Sequence, residues 1–549
     1  MRAGFWVFML LLTTACGSPP PVDRLLVGGT VHLPEGARRV EIAVKDGKIV
    51  ALVPPSQARS WQKKAKEVVN LAGAHVYPGF TESHGHLTGF GLALETVDLT
   101  GSPSFQEVVR RLSAKAADLP RGSWVLARGW DQNLWPEKSF PHHRELSQAL
   151  PEHPVLARRV DGHAILVNQK ALELAGISAA TPDPPGGQIL RDEKGQPTGV
   201  LVDAATDLVE RILPAPSPED LARRQLKAAE KLAALGFTAF HDAGTGSSEL
   251  ASLRKLAQSG KLPIRVYVML DGSNPELLAQ EFARGIQRDE RGMLTVRAVK
   301  LYADGALGSR GAWLSQPYSD APGHVGLAVT PVAKLKEIVA RIAAAGFQPC
   351  IHAIGDEAVH QVLNVYQEVL AAKTASLRPR IEHAQIVRPE DVPRFAQLGV
   401  IASVQPTHCT SDMPWAPSRL GPERILWAYR WRSLLSAGAR LCLGSDVPVE
   451  NPDPRLGLWA AMTRKTPQNQ PEEGWNPEER LSPAEAIAGF TEWAAYAAFE
   501  EEKRGQIAPG FFADLTIFDR ALEEDAVLSA RLLRTVVGGA DVFVARGGP

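Results

Sequence analysis

His84 and His86 stand two residues apart at the end of a strand-like run. On a strand that spacing puts both imidazoles on one face. Further chemistry-bearing residues close other strand-like runs: Lys300 in "VRAVKLYADG", with Asp304 just beyond, His352 in "QPCIHAIG", His383 after Glu382 in "RIEHAQ", and Asp446 in "RLCLGSDVP". The set is four imidazoles, one carboxylate and one lysine. Neutral imidazole and carboxylate are ligands for zinc or a similar divalent ion. Each residue alone has a plainer reading. A strand-end histidine can satisfy a loop carbonyl, a lone lysine is usually at the surface or in an ion pair, and Asp446 could cap a helix. The joint pattern outweighs these readings, because all of them fall at strand ends in the order one barrel requires.

The elements that must position them follow the same order. Eight runs read as core strands: "VYPGFTES", "TAFHDAG", "IRVYVML", "VRAVKLYADG", "QPCIHAIG", "RIEHAQ", "IASVQP" and "RLCLGSDVP". Several precede amphipathic segments such as 331–345 and 389–398. Strands alternating with helices predict an α/β fold, a (β/α)₈ TIM barrel, over 78–91 and 211–502. Its active site would gather at the C-terminal strand ends. The long gap from His86 to Thr238 predicts an inserted subdomain over 92–210, after the first strand. The β-rich stretches at both ends, with a hairpin signal at Asp46-Gly47, predict a small β-sandwich domain built from 24–77 and 503–545. Cys350 and Cys442 sit in apolar strands and read as core, whereas Cys409 lies nearer the mouth and is expected at the surface.

Composition removes some functions. Lys and Arg number 60 against 61 Asp and Glu, so the chain lacks the basic excess that nucleic-acid binding requires. No internal run of about 18 apolar residues exists, so the body is not expected to span a membrane. The start differs: Arg2, an apolar run from Phe5 to Leu12, then Ala15-Cys16-Gly17-Ser18 and three prolines. This resembles a bacterial lipoprotein signal, although Thr13 stands where leucine is usual. It implies a signal peptide over 1–15, lipidation at Cys16, a linker over 16–23 and a periplasmic body whose membrane contact is the lipid alone. An ordinary secretory cut or an uncleaved anchor is the alternative.

The motif set as a whole resembles the amidohydrolase superfamily, and within it the family 3 branch that includes N-substituted formamide deformylases. The segments that carry the resemblance are "GWDQNLWP", "RRVDGHAILVN", "FHDAG", "KLYADGALGSR", "IHAIGD", "IEHAQ", "GSDVPVENPDP" and "KRGQIAPGFFADLTIFD". The resemblance implies one or two divalent ions, zinc first. His84, His86 and Asp446 would hold one ion, His352 and His383 the other, and a carbamylated Lys300 (N6-carboxylysine) would bridge them. It further implies that Asp446 is the catalytic proton carrier in hydrolysis of a non-peptide C–N bond in a small-molecule amide, formamide or cyclic amide. An ester or N-acyl amino acid hydrolase on the same metals, or a non-catalytic envelope lipoprotein, are the rival readings. Substrate-contact candidates are His163, Trp130, Asp131, Gln405, His408 and Arg310. Each of His163, Trp130 and Arg310 has a structural alternative: a buried histidine, a core indole and a loop salt bridge. The sequence leaves a homo-oligomer open.

Overall fold

The structure is a computed structural model and describes residues 19–159, 164–184, 187–370 and 373–547. The expected leader, Cys16 and His163 lie outside these residues. The chain divides into two compact units. One holds the described residues up to His86, Ala229–Ser247 and the chain from Ala257 onward; the other holds Leu87–Ala228 and Ser248–Leu256.

The first unit contains the barrel. Its strands are β1 (Phe80–Gly85), β2 (Phe237–Thr245), β3 (Arg265–Asp271), β4 (Leu294–Tyr302), β5 (Gln348–Ala353), β6 (Arg380–His383), β7 (Ile401–Val404) and β8 (Arg440–Leu443). They neighbour one another in sequence order, and every neighbouring pair is parallel. β1 and β8 are joined through a bridge between Gly85 and Val447, where the Asp446 and His86 amides donate to the His84 and Val447 carbonyls at 2.8 Å each. The result is a nearly closed TIM-like barrel, as the eight runs predict. Helices follow the strands for ordinary reasons. After β4, Val332–Ala344 buries Leu335, Val339, Ile342 and Ala343, one face of a 3.6-residue period. After β3, Pro275–Arg284 starts with proline in its first turn, and the Asn274 side chain accepts the Leu277 amide.

The barrel interior is polar near its centre. Arg380 on β6 is fully buried; its guanidinium donates to the Ser83 carbonyl (2.8 Å), the Ser403 hydroxyl (2.9 Å) and Glu382 (3.0 Å). Such a buried ion is tolerated because its charge is paired with Glu382, 2.7 Å from Nε, and its Nη groups are hydrogen-bonded.

The run "VYPGFTES" proves to be two strands. His75–Pro78 belongs to another sheet, and β1 begins after Gly79. A Cβ at Gly79 would lie 2.2 Å from Thr238 Oγ1, so the change of sheet needs glycine there. His75–Pro78 pairs antiparallel with Leu515–Phe518, Tyr77 opposite Thr516, so segments from the two ends of the chain share one sheet. That six-stranded sheet and a four-stranded sheet built around Val22–Val27 and Glu41–Lys45 share a core of Leu26, Val31, Ile42, Val76, Leu515, Ile517 and Val536.

The second unit contains a six-stranded mixed sheet ordered Gly187–Arg191, Pro197–Asp203, Ala164–Val167, Val155–Arg159, Val125–Trp130, Val97–Asp98. Its core includes Trp130, Trp135, Leu112, Leu146 and Leu166.

Cys350 and Cys442 are buried, as expected. Cys409 is buried as well, against the expectation of exposure. It lies on the helix Pro406–Asp412, which packs on Pro454–Thr463, and burial pushes its thiol up to about 11. No helix among the described residues is long and apolar enough to cross a membrane.

Candidate metal centre

The C-terminal ends of the barrel strands bring His84, His86, Lys300, His352, His383, His408 and Asp446 to the wall of one cavity of about 360 Å³. One ligand atom each from His84, His383 and Asp446 lies within 4.8 Å of the others. His86 Nε2 is 3.2 Å and His84 Nε2 3.6 Å from Asp446 Oδ1. Two of the residues hold unusual backbone: φ is 72° at His383 and 62° at Asp446. Left-handed backbone at a non-glycine residue costs about 1 kcal/mol or more and persists where surrounding bonds fix it. Here Ser445 supplies such bonds, donating from its amide and its hydroxyl to buried Glu82, both at 2.8 Å.

Three imidazoles are each fixed through Nδ1. Glu382 accepts from His84 at 2.5 Å, the Ala243 carbonyl from His86 at 2.8 Å, and Gln405 Oε1 from His383 at 2.9 Å. A carboxylate or carbonyl oxygen can only accept, so Nδ1 carries a proton in all three rings. His84 and His383 therefore present a basic nitrogen from the other edge, whereas His86 Nε2 faces Asp446 Oδ1, and the hydrogen bond to that carboxylate outweighs burial and raises the His86 pKa. His84 Nε2 and Asp446 Oδ1 are buried with no hydrogen-bond partner. Orphaned buried donors and acceptors are rare in folded proteins, and an imidazole–imidazole–carboxylate set fits a divalent cation. His352 is arranged differently: its Nε2 lies 3.5 Å from both the Gly305 carbonyl and Asp304. Its ring centroid is 4.5 Å from that of His383.

Electrostatics agree with a site built for cations. Burial, then the nearby Lys300 charge, pushes His84 down to about 4 and His352 down to about 3. Burial and the neighbouring imidazoles hold His383 well below its usual range. These rings are neutral at pH 7, the form that binds metal. Burial acts to raise the Asp446 carboxyl, but the hydrogen bond from His86 outweighs it and holds the group below the usual carboxylate range. The same contest at Glu382 is won by Arg380 and His84. Glu82 has no cationic partner among its bonds, and burial lifts it to about 8. Lys300 is 1% exposed. Its ammonium has no hydrogen bond among the described residues and lies 4.5 Å from the Tyr302 ring centre. Burial lowers its pKa.

Of the other candidates from the sequence, Gln405 and His408 join the site and the rest fall elsewhere. Gln405 acts on His383 through the bond above. His408 stacks on His383 with 5.9 Å between ring centres and is 3.8 Å from Asp446. Trp130 is fully buried in the core of the second unit, its indole N–H donating to the Ala157 carbonyl at 2.7 Å. Asp131 pairs with Arg159 at 3.0 Å. Arg310 pairs with Asp320 on a loop, at 3.0 Å. Sequence reasoning passed over Glu382, Gln385, Asp412, Trp415 and Glu450. The last four line the cavity, and a position beside a histidine was the only signal for Glu382.

The sequence profile of the amidohydrolase family matches residues 67–543. The Bacillus subtilis protein YtcJ is 32% identical over 527 residues, 94% of this chain and 98% of that one. The N-substituted formamide deformylase of Arthrobacter pascens is 29% identical, over 91% of this chain and 94% of that one. The solved structure of an uncharacterized metal-dependent hydrolase from Pyrococcus horikoshii superposes with a TM-score of 0.77 at 31% identity, over 91% of this chain and 98% of that chain.

Proposed function

The chain belongs to the amidohydrolase family, and on that premise we propose that it is a metal-dependent hydrolase of a non-peptide C–N bond in an amide, formamide or cyclic amide. The observation that carries this reading is the convergence of His84, His383 and Asp446 on one point of the cavity wall. In this proposal His84, His86 and Asp446 hold one divalent ion, His352 and His383 hold a second, and zinc suits the donor set. Lys300 completes the site as a carbamate. Its depressed pKa favours the neutral amine, whose nitrogen bonds the carbon of CO₂ and releases one proton. The product is an anion, which also removes the cost of a buried, unbonded ammonium.

A bound divalent ion supplies Lewis acidity, making water more acidic and a carbonyl more electrophilic. The protein's residues do the rest. Glu382, Ala243 and Gln405 keep the imidazole edges aimed inward. Ionised Asp446 accepts a proton from the attacking water as the water oxygen bonds to the carbonyl carbon. Asp446 then returns that proton to the departing nitrogen as the C–N bond breaks. Products are a carboxylic acid, formic acid where the substrate is a formamide, and an amine. Leu307, Ile354 and Trp415 give the substrate apolar contacts in the cavity.

The test is metal analysis of protein purified without chelator, paired with hydrolysis assays over formamides, N-acyl amino acids and cyclic amides. One or two equivalents of divalent ion and turnover of at least one amide class are expected, with His84→Ala losing both together. A folded protein holding less than about half an equivalent after growth in zinc overturns the proposal.

A further inference from the structure

Beyond the metal centre, the cavity lining includes the apolar residues Ala306, Leu307, Ile354, Trp415 and Val449, and Asp412 and Glu450 are its remaining charged groups among the described residues. Among the described lining residues the one basic side chain outside the histidines is Lys300, buried at the metal end. The guanidiniums on neighbouring loops are committed elsewhere: Arg310 and Arg419 both pair with Asp320, and Arg419 also donates to the Gly308 carbonyl.

The two carboxylates differ. Asp412 accepts from the Tyr429 hydroxyl and the Gln385 amide, and burial raises its pKa. Both bonds end on Oδ2 and come from neutral donors. Glu450 is half-buried and has a single bond, from the Ser411 hydroxyl to Oε1 at 2.6 Å. Its other oxygen has no partner among the described residues. Glu450 follows Asp446 by four residues, which limits their separation to about 14 Å. An unbranched substrate arm can span that length.

We infer that this cavity selects amides whose distal arm ends in a protonated amine held by Glu450, and rejects the same arm ending in a carboxylate. The inference rests on the hydrolase reading and deepens it. An ammonium gains a carboxylate partner in a partly desolvated wall. A carboxylate there meets the like charge of Glu450, while the Arg419 guanidinium, 5.8 Å from the Trp415 ring centre, is paired with Asp320. N-acyl amino acids, whose anion lies close to the amide, are disfavoured on the same ground.

The test uses metal-loaded protein and three formamides of one linear alkyl arm, ending in an ammonium, a methyl or a carboxylate. The expected order of kcat/KM is ammonium, methyl, carboxylate, with at least about a tenfold span between the ends. Glu450→Gln lowers the ammonium-to-carboxylate ratio by about fivefold or more. A carboxylate arm turned over as well as the ammonium arm overturns the inference while leaving the hydrolase reading intact, as does an unchanged ratio in Glu450→Gln. If none of the three is hydrolysed, the formamide reading fails. Equilibrium binding of the same three compounds then decides the inference: the same order supports it, and equal affinities overturn it.

Discussion

Asp446 and Lys300 separate a catalyst from a scaffold that only holds metal. Asp446 is 3.2 Å from His86 Nε2, and the hydrogen bond from that ring holds its carboxyl below the usual carboxylate range, so an uncharged isostere removes the proton carrier and keeps a ligand oxygen. Asp446→Asn is expected to lower kcat by at least about 10²-fold while retaining much of the metal; turnover near the parent's would remove Asp446 from the proposed role. If Lys300 carries the proposed carbamate, Lys300→Ala is expected to lose activity and to recover part of it when short-chain carboxylic acids supply the missing oxygens. Failure of every such acid to restore activity, in a variant that still folds, would argue against a carbamate. Glu382 works one step further out, since it fixes which His84 nitrogen carries the proton. Glu382→Gln should weaken metal affinity by about 10- to 100-fold, measured by competition with a chromophoric chelator; unaltered affinity would make the contact merely structural. The gathering of His84, His86, Lys300, His352, His383 and Asp446 at one cavity was legible in the sequence because two-residue spacing and strand-end position are local signals. Glu382 was not, because its meaning comes from a ring 298 residues away; for Arg310 the loop salt bridge was one of the two readings the sequence offered, and Asp320 is its partner.

The barrel strands were legible because each is a short apolar run ended by a polar or turn residue, and parallel strands buried on both faces read that way. Legibility failed where one run served two sheets. Nothing in "VYPGFTES" marks the handover except Gly79, whose need for glycine comes from Thr238 on a strand far along the chain. The surface expectation for Cys409 failed similarly, since a position near a strand end does not reveal what packs on the helix behind it. Gly444 carries the element-scale consequence. It joins β8 to Asp446, and a Cβ there would lie 2.3 Å from Glu82 Oε1 and 2.7 Å from the His84 amide nitrogen. Gly444→Ala must therefore displace the end of β1 or of β8, and overpacking of this kind costs about 1–3 kcal/mol. The expected result is a folded protein with reduced metal content, checked by circular dichroism and metal analysis on the same sample. Full metal occupancy would show that the strand ends can shift without disturbing the ligands.

At the scale of the whole molecule, the C-terminal segment supports the barrel through a buried ion pair. Arg265 on β3 donates from Nε and Nη2 to the two Asp514 oxygens at 2.7 and 2.9 Å, and both side chains are at most 5% exposed. The remaining valences are filled as well. Arg265 Nη1 donates to the Arg291 and Gly292 carbonyls, the Phe512 ring lies 3.9 Å from the guanidinium, and Asp514 accepts the Gly538 amide. Asp514 immediately precedes Leu515–Phe518, the strand that pairs with His75–Pro78 just before β1. One contact thus ties β3 to the segment from which β1 and its histidines start. Removing one charge of a buried pair leaves the other uncompensated, a loss of about 3–5 kcal/mol, whereas replacing both with apolar groups of similar volume is often neutral. Asp514→Leu alone should therefore lower the denaturant midpoint of the first unfolding transition sharply, and Arg265→Met with Asp514→Leu should recover much of it. If the double variant unfolds as early as the single one, the lost stability belongs to the carbonyl bonds and ring contact of Arg265 rather than to its charge. The link between the terminal sheet and the barrel would then be one of shape and hydrogen bonding.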